Sequence, residues 1–202
     1  MRSPQRAGGL RERKKAKTRR AIQEHALRLF AERGYEATTV EQIAEAAEVS
    51  PSTFFRYFPT KEDVVVQDGY DSLIVSALRE SSPGATPVDA FRQAVRTVFE
   101  GFRAEDFSRA AAVTRLILSV PALRARRLQS AAGTHAAMCT EIASRTGRDP
   151  HDLAVETFAA AVIGAMLPSI ARWAANPSEN LPDLLDTALV RLAAGLPLTG
   201  TR

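Results

Sequence analysis

The stretch TTVEQIAEAAEVSPSTFFRYFPTKEDV, residues 38–64, reads as two short helices joined by a tight turn, with a third helix starting directly behind them. Thr39 is a candidate N-cap with Gln42 three residues on, the spacing at which hydroxyl and amide side chains satisfy each other's orphan backbone N–H groups. Val40, Ile43, Ala44 and Ala47 fall on one face at helical spacing. So short a helix cannot stand alone and must pack. Ala47-Glu48-Val49-Ser50 forms the turn, and Ser50 caps a second helix that opens on Pro51, whose fixed φ suits a first helical position. Phe54 and Phe58, four apart, share the face turned to the core, which leaves Ser52, Thr53, Phe55, Arg56 and Tyr57 around the outside. Thr60 and Asp63 form a third capping pair and open a helix predicted over about 61–79. Two short helices so spaced make a helix-turn-helix, whose second helix fits the major groove of DNA. A structural helical corner with a polar outer face fits the same pattern.

Upstream, the sequence turns helical from about Arg11. Ala21, Ile22, Ala26, Leu29 and Phe30 form its apolar stripe, and Gly34 ends it just beyond Arg33. The charge is uneven. The first twenty residues carry nine basic side chains against Glu12 alone, +8, while the chain as a whole is only +4 and the remainder therefore acidic. A basic arm on an acidic body favours a nucleic-acid partner, because its cations displace counterions condensed on phosphates. Lys14, Lys15 and Lys17 are the arm cations expected on the DNA backbone, where they position without specifying sequence. Residues 1–10 are expected to be a disordered basic tail.

The run from Thr39 to Val64, with its Thr-Val-x-x-Ile-Ala core, its Val-Ser turn exit and Thr53-Phe54-Phe55-x-Tyr57-Phe58-x-Thr60-Lys61-Glu62, closely resembles the N-terminal domain of the tetracycline-repressor (TetR) family of transcriptional regulators. The resemblance covers about residues 17–66 and is not expected to extend into the C-terminal two thirds. It implies roles position by position. The residue at Thr39 caps its helix beside a phosphate, and the second helix, capped by Ser50, reads bases through Pro51, Ser52, Thr53 and Arg56. Phe55 and Tyr57 press on the backbone, and Lys61 meets a phosphate from the start of the next helix, where the dipole also attracts anions. Arg56 is the candidate for guanine, since its fork matches O6 and N7. Glu48 stands where the family often has glycine, so a left-handed side chain there costs about 1 kcal/mol. Phe55 replaces a frequent tyrosine and cannot donate a hydrogen bond. The resemblance further implies a homodimeric repressor released from a palindromic operator by a small, mostly hydrophobic ligand. The Thr-Phe-Phe-Arg-Tyr-Phe run also resembles a branch of the family associated with acyl-CoA-like ligands.

The rest of the chain, 67–202, is predicted to be a helical ligand-binding and dimerisation domain behind a helix-turn-helix domain over 11–66, giving an all-α fold. Ser81-Ser82-Pro83-Gly84 reads as a loop. Thr86-Pro87-x-Asp89 opens one helix, another lies near 106–120, and Pro121 opens a longer one ending at Gly147. A further helix is predicted over about 149–174, and Pro182 begins the last, closed by Gly195. In the helix over 149–174 a bulky stripe (Phe158, Val162, Met166, Ile170, Trp173) lies opposite a face of small residues that includes Ala161, Gly164 and Ala165. Two apolar faces call for two partners. The bulky face is assigned to the body's own core or cavity, and the small face, with Leu185 and Leu189 of the last helix, to a four-helix interface with a second subunit. The alternative is a helix buried on both sides within one subunit. Phe99, Phe102, Leu116, Met138, Phe158, Val162 and Met166 are the candidate ligand-pocket residues, and Pro168 is expected to bend its helix.

An enzyme is the rival class. His25, His135 and His151 show no metal-ligand spacing, and there is no GxSxG elbow, GxGxxG or P-loop, so no catalysis, cofactor or metal is expected. Cys139 stands alone, which excludes an intrachain disulfide and reads as an inert apolar filler. No apolar run is expected to reach the roughly 18 residues that span a bilayer, and no signal peptide is visible, so a cytoplasmic protein without membrane contact is expected. A helical adaptor without DNA binding would leave the basic arm and the polar second helix without purpose.

Overall fold

Side-chain caps and left-handed glycines set the boundaries of the elements. In the computed structural model, which describes residues 5–67 and 70–197, the backbone forms ten α-helices and no strand among the described residues, the all-α fold expected. They are α1 (Gln5–Arg33), α2 (Val40–Ala46), α3 (Pro51–Tyr57), α4 (Asp63–Val66), α5 (Tyr70–Glu80), α6 (Pro87–Glu100), α7 (Ala104–Ser119), α8 (Pro121–Thr146), α9 (Leu153–Ala175) and α10 (Leu181–Ala193). The chain divides into two compact units after Gln67.

In the first unit, α1 to α4 close around Ile22, Ala26, Leu29, Phe30, Ile43, Ala44, Phe54, Phe58 and Val64, all buried. All but Val64 are apolar positions of the sequence pattern. Tyr35 joins them, its ring 5.1 Å from that of Phe30. The leader differs from expectation: α1 starts at Gln5, so residues 5–10 are helical, and only 1–4 of the tail lie outside the described residues. Arg11 to Lys17 are good helix formers, and once a helix is nucleated each added turn is inexpensive. The single helix expected over 61–79 is two, α4 and α5, with 68–69 outside the described residues. Gln67 leaves the helical region (φ −87°, ψ 57°), and Asp68-Gly69 is the sequence signal that marks the break.

In the second unit α6 opens as expected, with Thr86 accepting from the Asp89 N–H at 3.2 Å, and α8 ends on Gly147 in left-handed conformation (φ 67°). Helix α9 starts later than expected, because the Asp152 carboxylate caps it by accepting from the Ala154 N–H at 2.8 Å. The core gathers Leu78, Phe91, Val95, Met138, Ile142, Ala159, Val162, Trp173, Leu185 and Leu189. Arg92 clamps α6 to α10 through both oxygens of Asp186 (2.7 and 3.1 Å), which holds that carboxyl below its ordinary range. Arg145 donates to the carbonyls of Leu78, Ser81 and Ser82, fixing the C-terminal end of α5 against α8. One expectation is corrected: α9, 23 residues with an 18-residue stretch of mean hydropathy 1.8, is long and apolar enough to cross a bilayer by length and composition. Val155, Ala159, Val162, Met166 and Trp173 pack in the core, whereas Leu153 and Leu167 are exposed.

Candidate nucleic-acid interface

The reading unit is built by three interlocking caps. Thr39 Oγ1 accepts from the Gln42 N–H at 3.3 Å while Gln42 Oε1 accepts from the Thr39 N–H at 3.0 Å, the reciprocal pair expected at the start of α2. At its end, the Glu48 N–H donates to the Glu45 carbonyl and the Val49 N–H to the Ala44 carbonyl, with Glu48 left-handed at φ 53°. This is the Schellman arrangement with glutamate where glycine is easiest. Ser50 then caps α3, accepting from the Thr53 N–H at 3.1 Å. Thr60 and Asp63 exchange bonds (3.1 and 3.2 Å) ahead of α4, with Asp63 fully buried.

The outcome is a short helix that buries Phe54 and turns the rest outward. Pro51, Ser52 and Arg56 are exposed, Phe55 keeps 48% of its surface open, and Thr53 and Tyr57 are half-buried. The hydroxyls of Ser50, Ser52 and Thr53 lie within hydrogen-bond reach of one another, both pairs at 2.9 Å. The Arg56 guanidinium rests 5.5 Å from the Tyr57 ring. Lys14, Lys15 and Lys17 are exposed on α1. At helical spacing Lys15 continues the Arg19–Ile22–Ala26 side, whereas Lys17 points nearly opposite, so the three cations do not share one face.

Two basic residues are committed to the fold. The Lys61 ammonium donates to the carbonyls of Tyr35 (3.0 Å) and Thr38 (3.1 Å) and sits 4.0 Å from the Tyr35 ring centre, so only one of its three donors remains for a phosphate. It precedes α4 rather than starting a long helix. Arg19, counted in the sequence as an arm cation, donates to the carbonyls of Tyr57 and Gln67 (3.3 Å each) and to Gln67 Oε1 (2.9 Å), and lies 4.4 Å over Phe58. Burial lowers its pKa, partly offset by Asp63. Gln23 adds bonds to the Val64 and Gln67 carbonyls. Sequence reasoning missed this clamp on two helix ends, because a basic run gives no sign of which member turns inward. Tyr35 Oη donates to Glu62 at 2.6 Å. Burial, then this bond, raises the Tyr35 pKa, while for Glu62 the upward push of burial is outweighed by bonds from Tyr35, its own backbone and Thr60.

The second unit holds a cavity of about 190 Å³ between α5, α8 and α9. Of the candidate pocket residues, Met138 and Met166 line it, Phe99 lines a separate cavity of about 540 Å³ with Phe107 and Trp173, and the other four line neither. Phe99 and Phe102 pack with Phe107 in an aromatic cluster, Phe158 lies against Phe91, Val162 is fully buried in the core, and Leu116 is half-buried on α7. A repeating apolar stripe marks what is buried, and core and cavity walls bury alike. The lining that was missed includes Ile74, Val75, Ile163 and Ile170, with Asp71, Arg127 and Thr134 as its polar members.

The small-residue face of α9 is open. Ala161, Gly164, Ala165 and Pro168 line a groove of about 580 Å³ with Leu184, Thr187, Ala188 and Arg191 of α10. Leu185 and Leu189, expected on the same face, are instead 1% and 0% exposed within the subunit's own core. The leucine stripe of α10 serves the fold, and the residues one step round the helix face the groove. Cys139 is buried, and burial raises its thiol pKa, which suits an inert filler.

The family model described as "Bacterial regulatory proteins, tetR family" matches residues 22–67, and that described as "MftR C-terminal domain" matches residues 85–197. The second match corrects the expectation that the resemblance stops at the reading unit. Among similar proteins, the transcriptional regulator TcmR of Streptomyces glaucescens is 36% identical over 184 residues, covering 87% of this chain and 81% of that one. The putative mycofactocin biosynthesis transcriptional regulator MftR of Mycobacterium tuberculosis is 28% identical over 186 residues, 91% and 93% of the two chains. Thermus thermophilus FadR, a TetR-family repressor solved in complex with lauroyl-CoA, aligns with a TM-score of 0.54 at 29% identity, over 91% of this chain and 97% of that one. With an outward-facing α3, and relatives along nearly its whole length that are transcription regulators, the chain belongs to the TetR family of DNA-binding transcriptional regulators.

Proposed function

We propose that the protein is a homodimeric repressor that grips a palindromic operator with two copies of α3 and leaves it when a small, mostly hydrophobic effector occupies its second unit. One observation carries the DNA side of this reading: α3 spends only Phe54 on the core and exposes Ser52, Phe55 and Arg56 on a rigidly capped helix. In this reading Pro51, Ser52, Thr53 and Arg56 meet base edges, with Arg56 on a guanine. Thr39, Ser50, Phe55, Tyr57, Lys61, Lys14, Lys15 and Lys17 meet sugar and phosphate.

The dimer is supported by α9. It is the most apolar of the longer helices of the described chain, yet Leu167 is exposed and its small residues line an open groove of about 580 Å³, and an open apolar face calls for a partner. Ala161, Gly164 and Ala165 would let a second α9 approach closely, with Leu184 and Ala188 of α10 beside it. An acyl-CoA-like effector is supported by the largely apolar cavity and by the 29% identity to a FadR solved with lauroyl-CoA. The protein acts in the cytoplasm, on DNA. Footprinting on DNA flanking its own gene tests the reading: the expected result is two protected half-sites about 34–36 Å apart, lost on adding lauroyl-CoA. Protection of a single half-site, or none at moderate salt, contradicts it.

A further inference from the structure

The cavity between α5, α8 and α9 is apolar except at one point. Ile74, Val75, Met138, Ile163, Met166 and Ile170 supply its walls, while Asp71, Arg127 and Thr134 are gathered in one cluster. Arg127 Nη2 donates to Asp71 Oδ1 at 2.9 Å, and Thr134 Oγ1 donates to Asp71 Oδ2 at 2.8 Å. The side chains of Arg127 and Asp71 remain 32% and 31% exposed, so the pair stands between the apolar interior and solvent. At about 190 Å³ the space is smaller than the roughly 300–1,000 Å³ of a ligand site, so an occupant of ordinary size extends beyond it, either past the exposed Leu128 and Leu167 or past this pair, which is the polar point of the lining.

We propose that Arg127 reads the head group of the effector: an oxyanion carried on an apolar tail takes the place of Asp71 on the guanidinium. The inference rests on the reading that an apolar effector enters this unit, and it adds what the head of that molecule must be. Asp71 is an internal carboxylate on one nitrogen of a guanidinium whose fork a ligand carboxylate or phosphate can fit. A half-exposed ion pair is easily exchanged, since its partners are already partly solvated. The other end of α5 is held independently, by Arg145 on the Leu78, Ser81 and Ser82 carbonyls and by Arg79 on Glu141 (Nε to Oε1, 2.9 Å). Exchange at Arg127 therefore removes one of the two bonds on Asp71, in the first turn of α5, which starts three residues beyond Gln67 in the chain, and leaves that from Thr134.

The test is calorimetric titration of the full-length protein with dodecanoate, lauroyl-CoA and 1-dodecanol, which share a tail and differ in head. The expected result is that at least one oxyanion ligand binds about tenfold or more tightly than the alcohol, the scale of one charge-assisted hydrogen bond. Preference for dodecanoate identifies the head as a carboxylate, and preference for lauroyl-CoA alone as a phosphate. Arg127→Gln should bring all three ligands to the alcohol's affinity. Asp71→Asn, which removes the internal competitor, should widen the preference, and it carries the test if Arg127→Gln fails to fold. Equal binding of all three by the wild type, or a preference that survives Arg127→Gln, overturns the head-group assignment and leaves the apolar effector standing. Binding of none of them overturns both.

Discussion

Replacing Arg19 by methionine should loosen the helix-turn-helix unit without weakening its electrostatic hold on DNA. The side chain makes three hydrogen bonds, one at 2.9 Å to the Gln67 amide and two at 3.3 Å to the Tyr57 and Gln67 carbonyls, and stacks 4.4 Å over Phe58. A charged hydrogen bond contributes about 1.5–3 kcal/mol at full strength and a cation–π contact about 0.5–1 kcal/mol at an exposed site. Two bonds are long and the group is half-buried, so the sum is discounted to about 2 kcal/mol. Methionine keeps the apolar stem, so the loss belongs to the head group. Denaturant unfolding separates the units, because Trp173 is the sole tryptophan and lies in the second unit. The far-UV transition of the first unit should move to lower denaturant while Trp173 fluorescence does not. The salt dependence of DNA binding should keep its slope, whereas Lys17→Met, if Lys17 meets a phosphate, should lower it by about 0.9. An Arg19→Met protein with unchanged stability and a reduced salt slope would refute the clamp and return Arg19 to the arm.

Glu48→Gly should stabilise the first unit by about 0.5 kcal/mol, the relief of a left-handed side chain at φ 53° less the greater entropy of glycine in the unfolded chain, read as a higher denaturant midpoint. Tyr35→Phe removes the 2.6 Å bond to Glu62, a loss of about 1 kcal/mol at pH 7. The folded Glu62 pKa lies below its unfolded value, so the stability it contributes is present above the ordinary carboxylate range and is lost as pH falls through the folded value. The difference between wild type and variant should therefore shrink as pH falls below the ordinary carboxylate range, as urea melts at successively lower pH would show. Gly164→Phe should leave the subunit folded, since a Cβ there meets nothing within 4 Å, and convert a dimer to monomers in sedimentation. A wild type that sediments as a monomer at micromolar concentration would remove the interface.

Much of the first unit was legible because its signals are local. Thr39 with Gln42 and Thr60 with Asp63 are capping pairs three residues apart, Ser50 is an N-cap, and the structure closes each of them. The left-handed Glu48 was implied by the family resemblance, and most of the apolar stripe of α1 to α3 is buried, with Ala21, Val40 and Ala47 half-buried. Long-range choices were not legible. Arg19 reaches 38 and 48 residues along the chain for its partners, Lys61 reaches back to Tyr35, and neither leaves a local trace. In the second unit the helices were readable, but their neighbours were not. Period 3.6 separates an inner from an outer face and cannot say whether an inner residue meets core, cavity or a second subunit. Val162 and Leu189 went to the core, Met166 to the cavity, and Gly164 to the open groove.

The central claim is that the outer face of α3 reads DNA, and Arg56→Ala tests it most directly. Because Arg56 is exposed and, among the described residues, rests on the neighbouring Tyr57 ring alone, the variant should fold normally. Affinity for the footprinted operator, measured over a salt series beside a scrambled duplex, should fall by about 10- to 100-fold, while binding to the scrambled duplex and its salt slope stay nearly constant. Equal operator affinity for wild type and variant would contradict the account.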